Sequence, residues 1–385
     1  MILPVPDAKV PDATAHQPAT ADATAVAEAN QLREWVSGAV RTRISQARAE
    51  ANSLDPAATQ LVDQVSRLTT GGKMLRAALA YWAYRACGGA AQAPAILELC
   101  AALELYQASA LFHDDLIDQS DTRRGQPSAH QAFTAHHQLA NWRGAAPQYG
   151  LSAGILLGDF TIALAYDAIT AAAELADLPP GAILDLVNEF SAMARTVAVG
   201  QYLDLLAENE TGLSGEARLT RAKQVIYAKS ASYSAEYPLR LGAILAGAAP
   251  SLVDAMGNIG VPLGQAFQLR DDLLGVFGNP AVTGKPAGDD LISGKRTVLI
   301  ELALRDLDDL HARVLESLLK RGELTQMQID QARLSIGRSG AVTAVEQMLS
   351  EMTTNALTQL ENLAIPEQPK MQLRLIVDQM TTRVA

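Results

Sequence analysis

The chain is 385 residues long, 49% hydrophobic, only 5% aromatic, and carries a net charge of −11. That charge argues against nucleic-acid binding, which asks for basic stripes. The Ala- and Leu-rich composition fits a large helical core better than packed sheets. Two cysteines, Cys87 and Cys100, stand in no metal-ligand spacing, and the six histidines include no H-E-x-x-H. A disulfide framework and zinc catalysis are therefore excluded, and a reducing cytoplasm is the simplest compartment.

Residues 1–27 are rich in Ala, Pro, Thr and Asp but lack the charged start and apolar run of a signal peptide. They are expected to be a disordered tail ahead of an all-α domain over 28–385. From Glu28, Leu32, Trp35, Val36 and Val40 recur at helical spacing up to about Ala51. A break at Ser53–Pro56 precedes a second predicted helix, from about Ala57 to Thr69. In the stretch Thr69–Arg76, the Thr and Gly residues are expected to cap and open the next helix, with Lys73 and Arg76 on one side of its first turn. Basic side chains there oppose the helix dipole, at a cost of a few tenths to about 1 kcal/mol unless an anion is bound. The pattern fits a phosphate site and a solvated basic turn equally well.

A helix through Tyr81 is expected to end near Gly88-Gly89. The next, from about Pro94, runs into Leu111-Phe112-His113-Asp114-Asp115-Leu116-Ile117-Asp118. On a helix Asp114 and Asp118 share a face, with Asp115 beside the first. Such charges repel by roughly 4 kcal/mol per pair at 4 Å in an effective dielectric of about 20 unless cations sit between them. Oxygen ligands that leave room for water and phosphate suit Mg²⁺. Arg123 and Arg124 follow, in a form that grips phosphate in bidentate fashion. An acidic, solvated helix end would share the first motif alone. A second aspartate pair, Asp271-Asp272 after Gln268 on another predicted helix, makes coincidence a poor explanation.

Between the two motifs, Asn141 to Gly150 reads as a loop and Leu151 to Leu175 as a long apolar helix. The apolar runs Ala93–Phe112 and Gly154–Ala173 carry Glu98, Glu104, Asp159 and Asp167, so neither is read as a membrane span. A helix from Ala182 to about Glu208 bears Gln201 and Asp204, and Lys229-Ser230 lies on the helix after it. Beyond Gly275, the turn-rich segment from Gly278 to Arg296 reads as a flap whose Lys285 and Lys295 can swing over an anion. Val298 to Ala385 reads as further amphipathic helices, and the two aspartate clusters as paired sites on facing helices of one bundle.

Taken in order, these motifs resemble the trans-isoprenyl diphosphate synthases, the polyprenyl synthetase family, from about Glu28 to the C-terminus. They are Gly-Gly-Lys-x-x-Arg, Asp-Asp-x-x-Asp with Arg-Arg-Gly, Lys-Ser, Gln-x-x-Asp-Asp, Gly-Lys and Gly-Lys-Arg-Thr. The resemblance implies an all-α single domain around a deep apolar cavity, usually a homodimer. It also implies Mg²⁺-dependent head-to-tail joining of isopentenyl diphosphate to an allylic diphosphate such as dimethylallyl, geranyl or farnesyl diphosphate. Residue by residue, Asp114, Asp118 and Asp271 would hold the Mg²⁺ ions, with Asp115 and Asp272 in support, and Arg123 would contact the allylic diphosphate. Lys73, Arg76, Gln107 and Arg124 match the isopentenyl diphosphate site. Lys229, Ser230, Gln268, Lys285 and Lys295 match residues that line or cover the allylic substrate. Two departures stand out. Ser230 replaces the commoner Thr, and Gly275 replaces the third aspartate of the second motif.

In this family, bulky residues four or five positions before the first aspartate act as the tunnel floor. Here those positions are Ala110 and Ser109, so the floor is expected deeper, at Tyr106. Three residues of helix add about 4.5 Å. That is one isoprene unit beyond a farnesyl-sized pocket, and it points to geranylgeranyl diphosphate as product. A class I terpene cyclase and a catalytically silent prenyl-diphosphate-binding subunit are the alternatives. A cyclase would not need Lys73, Arg76 and Arg124, and a silent subunit would be expected to have lost Asp118 or Arg123.

Overall fold

The computed structural model describes residues 23–69, 71–278, 288–319 and 324–382. The expected tail over 1–22 and the flap residue Lys285 lie outside the described residues. Sixteen α-helices are described, interrupted by one two-stranded hairpin. The first, α1 (Ala23–Leu54), begins five residues ahead of the expected Glu28, so 23–27 belong to the helix and not to a tail. Ala25 and Leu32 are buried, so its apolar side already packs there. A single 3₁₀ turn, Pro56–Ala58, is capped by Asp55 and leads into α2 (Thr59–Thr69).

The next helix, α3 (Leu75–Ala86), has no side-chain cap. Met74 occupies the N-cap position with φ 48°, and Lys73 lies before the helix, not on its first turn. The Thr-Gly capping expectation is therefore corrected: the left-handed turn runs through Gly71, Gly72 and Met74, and the Met74 side chain is buried among apolar neighbours. Helix α4 (Pro94–Ile117) is the axis of the molecule, and Asp118 is its C-cap. The chain then makes a small antiparallel hairpin, β1 (Thr122–Arg123) with β2 (Gln126–Pro127). Its two-residue turn, Arg124-Gly125, has positive φ at both positions, as type I′ turns require.

After α5 (Ala129–Leu139), helix α6 (Ala146–Leu175) starts five residues before the expected Leu151, so the loop ends at Ala145. Pro147, read as a loop residue, sits in the first turn, where a missing N–H costs nothing. Helix α7 (Pro180–Asn209) returns along the bundle. Helix α8 (Gly215–Val225) then passes without a break into a π-helical stretch, Ile226–Glu236, and α9 (Tyr237–Leu245) completes that run. Such stretches are rare and frequently functional. Here it carries Lys229 and Ser230.

The wide π turn bulges towards its neighbours, and two glycines give it room. A Cβ on Gly200 of α7 would lie 2.2 Å from the Lys229 amide nitrogen, and one on Gly264 would lie 2.4 Å from the Ala231 carbonyl oxygen. Gly264 belongs to α10 (Pro250–Phe277), which carries the second aspartate pair. The remaining helices are α11 (Asp289–Ile292), α12 (Val298–Asp306), α13 (Asp309–Leu319), α14 (Gln326–Arg338), α15 (Ala341–Glu361) and α16 (Glu367–Thr381). A large core built on α3, α4, α6, α7, α9 and the N-terminal half of α10 holds the shaft of the bundle. A second cluster from α8 to α15 clamps the C-terminal half of α10. Both α4 and α6 are long and apolar enough to cross a bilayer. The apolar stretch of α4 is mostly buried, whereas that of α6 is less than half buried.

Candidate active site

One cavity of about 710 Å³ opens between α3, α4, α7, the π stretch, α10 and α11. It brings together residues as far apart in sequence as Lys73 and Lys295. Asp114 of α4 and Asp271 of α10 line it together, with Asp272, Gln268, Lys229, Ser230, Lys295, Arg123, Arg124, Lys73, Arg76, Gln107 and Ala110. Lys295 has moved from flap to wall. It follows α11, its backbone N–H donating to the Asp290 carbonyl at 3.0 Å. The adjacent Arg296, also on the wall, pairs with Glu301 at 2.8 Å and Glu316 at 2.9 Å, which pins the segment.

Cations thread between the carboxylates. The Lys229 ammonium lies 3.2 Å from Asp114 Oδ1 and 2.6 Å from Asp204 Oδ2, and Lys295 Nζ lies 3.2 Å from Asp118 Oδ2. The β1–β2 hairpin folds Arg123 back onto the first motif. Its Nε donates to Asp115 Oδ1 at 2.9 Å, its Nη2 bonds the same oxygen, and Nη2 also reaches Asp114 Oδ2 at 3.4 Å. Burial pushes the Asp114 carboxyl up, but Lys229, Lys295 and Arg123 together hold it below the ordinary carboxylate range. Burial works against the charged forms of Lys229 and Lys295. The surrounding aspartates hold both above their usual value. Asp272 receives a 2.8 Å hydrogen bond from Gln268, yet burial and then the negative charge of Asp290 push it up to about 8.

Burial leads the upward shifts of Asp115 and Asp272, so both carboxyls are poorly solvated and a bound cation would stabilise their charged forms. Asp115 Oδ2 is buried without a hydrogen-bond partner among the described residues. The donor set is hard oxygen, which suits Mg²⁺. Among the described residues, no three His, Cys, Asp or Glu side chains converge as a finished metal cage. Mg²⁺ asks for less, since one or two carboxylates completed by water and phosphate oxygens suffice.

A second, basic end lies beside the acidic one. Arg76 Nη2 donates to Ser234 Oγ at 2.7 Å, and its guanidinium stands 4.3 Å over the Tyr233 ring. Its buried Nε and the buried Gln107 Oε1 have no hydrogen-bond partner among the described residues. Gly72 adjoins Arg124, whose Nη2 would lie 3.5 Å from a Cβ there. The geometry therefore offers two anion-binding ends on one cavity.

The chain-length positions divide. Ala110 lines the cavity, but Ser109 turns away, its hydroxyl donating to the Gly158 carbonyl of α6 at 2.9 Å. Tyr106 is not at the wall either. It lies behind Tyr233, 6.1 Å between ring centroids, and packs edge-on against Phe190 at 5.9 Å, with Tyr166 beyond. The helical position of Tyr106 is as expected, but the floor is an aromatic cluster with Tyr233 as its exposed face. Sequence reasoning noted Asp204 without giving it a role, used Glu104 only as a charge interrupting an apolar run and Asp290 only as part of a turn-rich segment, and passed over Tyr233 and Ser234, all of which line the cavity. Only Asp204, one helical turn from Gln201, carried a usable hint.

A family model described as polyprenyl synthetase matches residues 59–335. The geranylfarnesyl diphosphate synthase of Aeropyrum pernix is 29% identical over 325 residues, covering 82% of this chain and 92% of that relative. The octaprenyl diphosphate synthase of Escherichia coli K12 is 28% identical over 312 residues, 80% of this chain and 86% of that protein. Among solved structures, a geranylgeranyl pyrophosphate synthase of Corynebacterium glutamicum, complexed with isoprenyl diphosphate and magnesium, superposes with a TM-score of 0.85. It is 35% identical and covers 92% of this chain and 99% of that one.

Proposed function

The chain belongs to the polyprenyl synthetase family, and we propose that within it this prenyltransferase condenses isopentenyl diphosphate with allylic diphosphates to give mainly geranylgeranyl diphosphate. The observation that carries this reading is the shared cavity, lined by Asp114 of the first motif, Asp271 and Asp272 of the second, and Lys73, Arg76, Gln107 and Arg124, while Asp118 does not line it and is tied to its wall through Lys295. Asp114, Asp118 and Asp271 would hold Mg²⁺, which when bound neutralises the leaving diphosphate.

The chain's own residues do the rest. Lys229, Lys295 and Arg123, now tied to aspartates, are within reach of diphosphate oxygens and stabilise charge that develops as the allylic carbon–oxygen bond breaks. The basic end orients isopentenyl diphosphate so that its alkene meets the allylic cation, and the released diphosphate takes the final proton. Tyr233, Val197, Phe267 and Leu274 line the same cavity and keep water from the cation. Incorporation of labelled isopentenyl diphosphate with dimethylallyl, geranyl or farnesyl primers tests this reading. Elongation that stops when the divalent metal is chelated supports it. Cyclic hydrocarbon from a single substrate favours the cyclase, and no turnover with retained binding favours the silent subunit.

Product length follows from the aromatic cluster. The relatives are named for C20, C25 and C40 products, so chain length varies within the family. With Ala110 small and Tyr233 backed by Tyr106 and Phe190, a C20 chain is the reading favoured here. Tyr106→Ala is expected to shift the product ladder upward by at least one isoprene unit, read by chromatography of the dephosphorylated products. The same change removes a buried ring and is expected to cost about 3 kcal/mol of stability. An unchanged ladder would remove Tyr106 from the floor.

We also read the chain as a cytoplasmic homodimer without a membrane span. The exposed side of α6 supports this: Leu156 is 60% exposed, Ile155 46% and Leu151 39%, next to Ile117 at 38%. A contiguous apolar face of this kind suits a two-fold interface. Cys87 and Cys100 are both free, as a reducing compartment would leave them. Paired Ile155→Asp and Leu156→Asp changes are expected to halve the mass measured by sedimentation. An unchanged mass would move the interface elsewhere.

A further inference from the structure

We propose that Asp290 stands in for the acid that the second aspartate motif lacks at Gly275, and that the two positions depend on each other. The inference rests on the function proposed above. Gly275 sits one turn beyond Asp271 on α10, on the side that lines the cavity. A Cβ there would lie 1.9 Å from Asp290 Oδ2 and 2.5 Å from its Cγ. The Asp290 carboxylate thus occupies the space that a side chain at 275 would need. It arrives from α11 rather than from α10 itself.

Several features hold it there. Helix α11 is opened by Gly288 in the left-handed region, φ 78°, and Asp290 is buried. Its backbone carbonyl accepts from the Lys295 N–H, and Lys295 Nζ in turn lies 3.2 Å from Asp118 of the first motif. Asp290 is the leading negative charge acting on Lys295, and the leading one acting on Asp272. Chemically it is a carboxylate placed on the second acidic face, linked through one ammonium to the first. That position lets it support the charge of the second acidic face beside Asp272 and keep Lys295 next to Asp118 of the first motif. It is a positioning residue, and Gly275 is the vacancy that permits it.

A swap tests this. Five proteins are compared: the parent, Asp290→Asn, Asp290→Gly, Gly275→Asp, and Gly275→Asp combined with Asp290→Gly, so that the parent and the last three close one cycle. The readout is Mn²⁺ binding in the presence of inorganic pyrophosphate, followed by electron paramagnetic resonance of the free ion, with thermal melting as a check on folding. Asp290→Asn is expected to weaken Mn²⁺ by about tenfold, the usual scale for groups that support metal ligands. Gly275→Asp alone is expected to weaken it by a similar factor, because two carboxylates then compete for one place. The swapped double variant is expected to return to within about threefold of the parent, a non-additivity that only coupled sites show.

Single changes that add in the double variant would overturn the proposal, as would Asp290→Asn binding Mn²⁺ like the parent. The second comparison introduces no new volume and decides the matter even if Gly275→Asp does not fold. Failure of the parent itself to bind Mn²⁺ with pyrophosphate would instead overturn the underlying reading of the site.

Discussion

Asp114→Asn is expected to lower the rate of isopentenyl diphosphate incorporation by about 10³-fold, the upper end of what loss of one preorganised charge-stabilising group costs. Asp114 is the point at which three cations of the cavity meet. Lys229 and Arg123 touch its two oxygens, and Lys295 adds to the field that keeps it ionised. An amide keeps the volume but loses the charge, so it holds neither the lysine nor a divalent ion. Because the cations would be left short of a counter-charge, apo stability is expected to fall modestly while the helical circular dichroism is retained. A variant with near-parental turnover would remove the first motif from the chemistry.

Arg76→Met should act on the other substrate. The guanidinium is held from two sides, by the Ser234 hydroxyl and the Tyr233 face, and it enters the cavity from the second residue of α3. Losing a charge-assisted contact with phosphate costs about 1.5–3 kcal/mol. The expected result is a rise of about 10- to 100-fold in KM for isopentenyl diphosphate, with KM for the allylic primer little changed. Arg76→Lys should recover only part of it, since an ammonium cannot reproduce the planar fork or its stacking on the ring. Steady-state kinetics with each substrate varied in turn makes the comparison. Equal changes in both constants would mean that the two ends of the cavity are not separate sites.

The parts of this molecule that were legible in the sequence are those set by short-range pattern. Pro94 opened α4, and the helical spacing of Asp114 and Asp118 put both at the end of one helix, whereas α7 starts at Pro180, two residues before the expected Ala182. The joint order of the motifs carried the family. What was not legible depends on contacts between distant segments. No local rule marks Met74 as an N-cap, because its left-handed turn is stabilised by burial of its own side chain. The π stretch exists because Gly200 and Gly264, on two other helices, leave space for a wider turn. Lys295 looked like part of a mobile flap, since the glycines around it are what a flap needs. The pairing of Arg296 with Glu301 and Glu316 fixes it as a wall. Asp290 was hidden for the same reason, as its meaning comes from Gly275 on a separate helix.

The most direct measurement of the central idea is a crystal of the protein grown with Mn²⁺ and a non-reactive thiolo analogue of an allylic diphosphate, read by anomalous scattering at the manganese edge. The account predicts manganese peaks at one diphosphate, bonded on one side to Asp114 and Asp118 and on the other to Asp271. Peaks confined to one helix, or a diphosphate seated away from both, would contradict it.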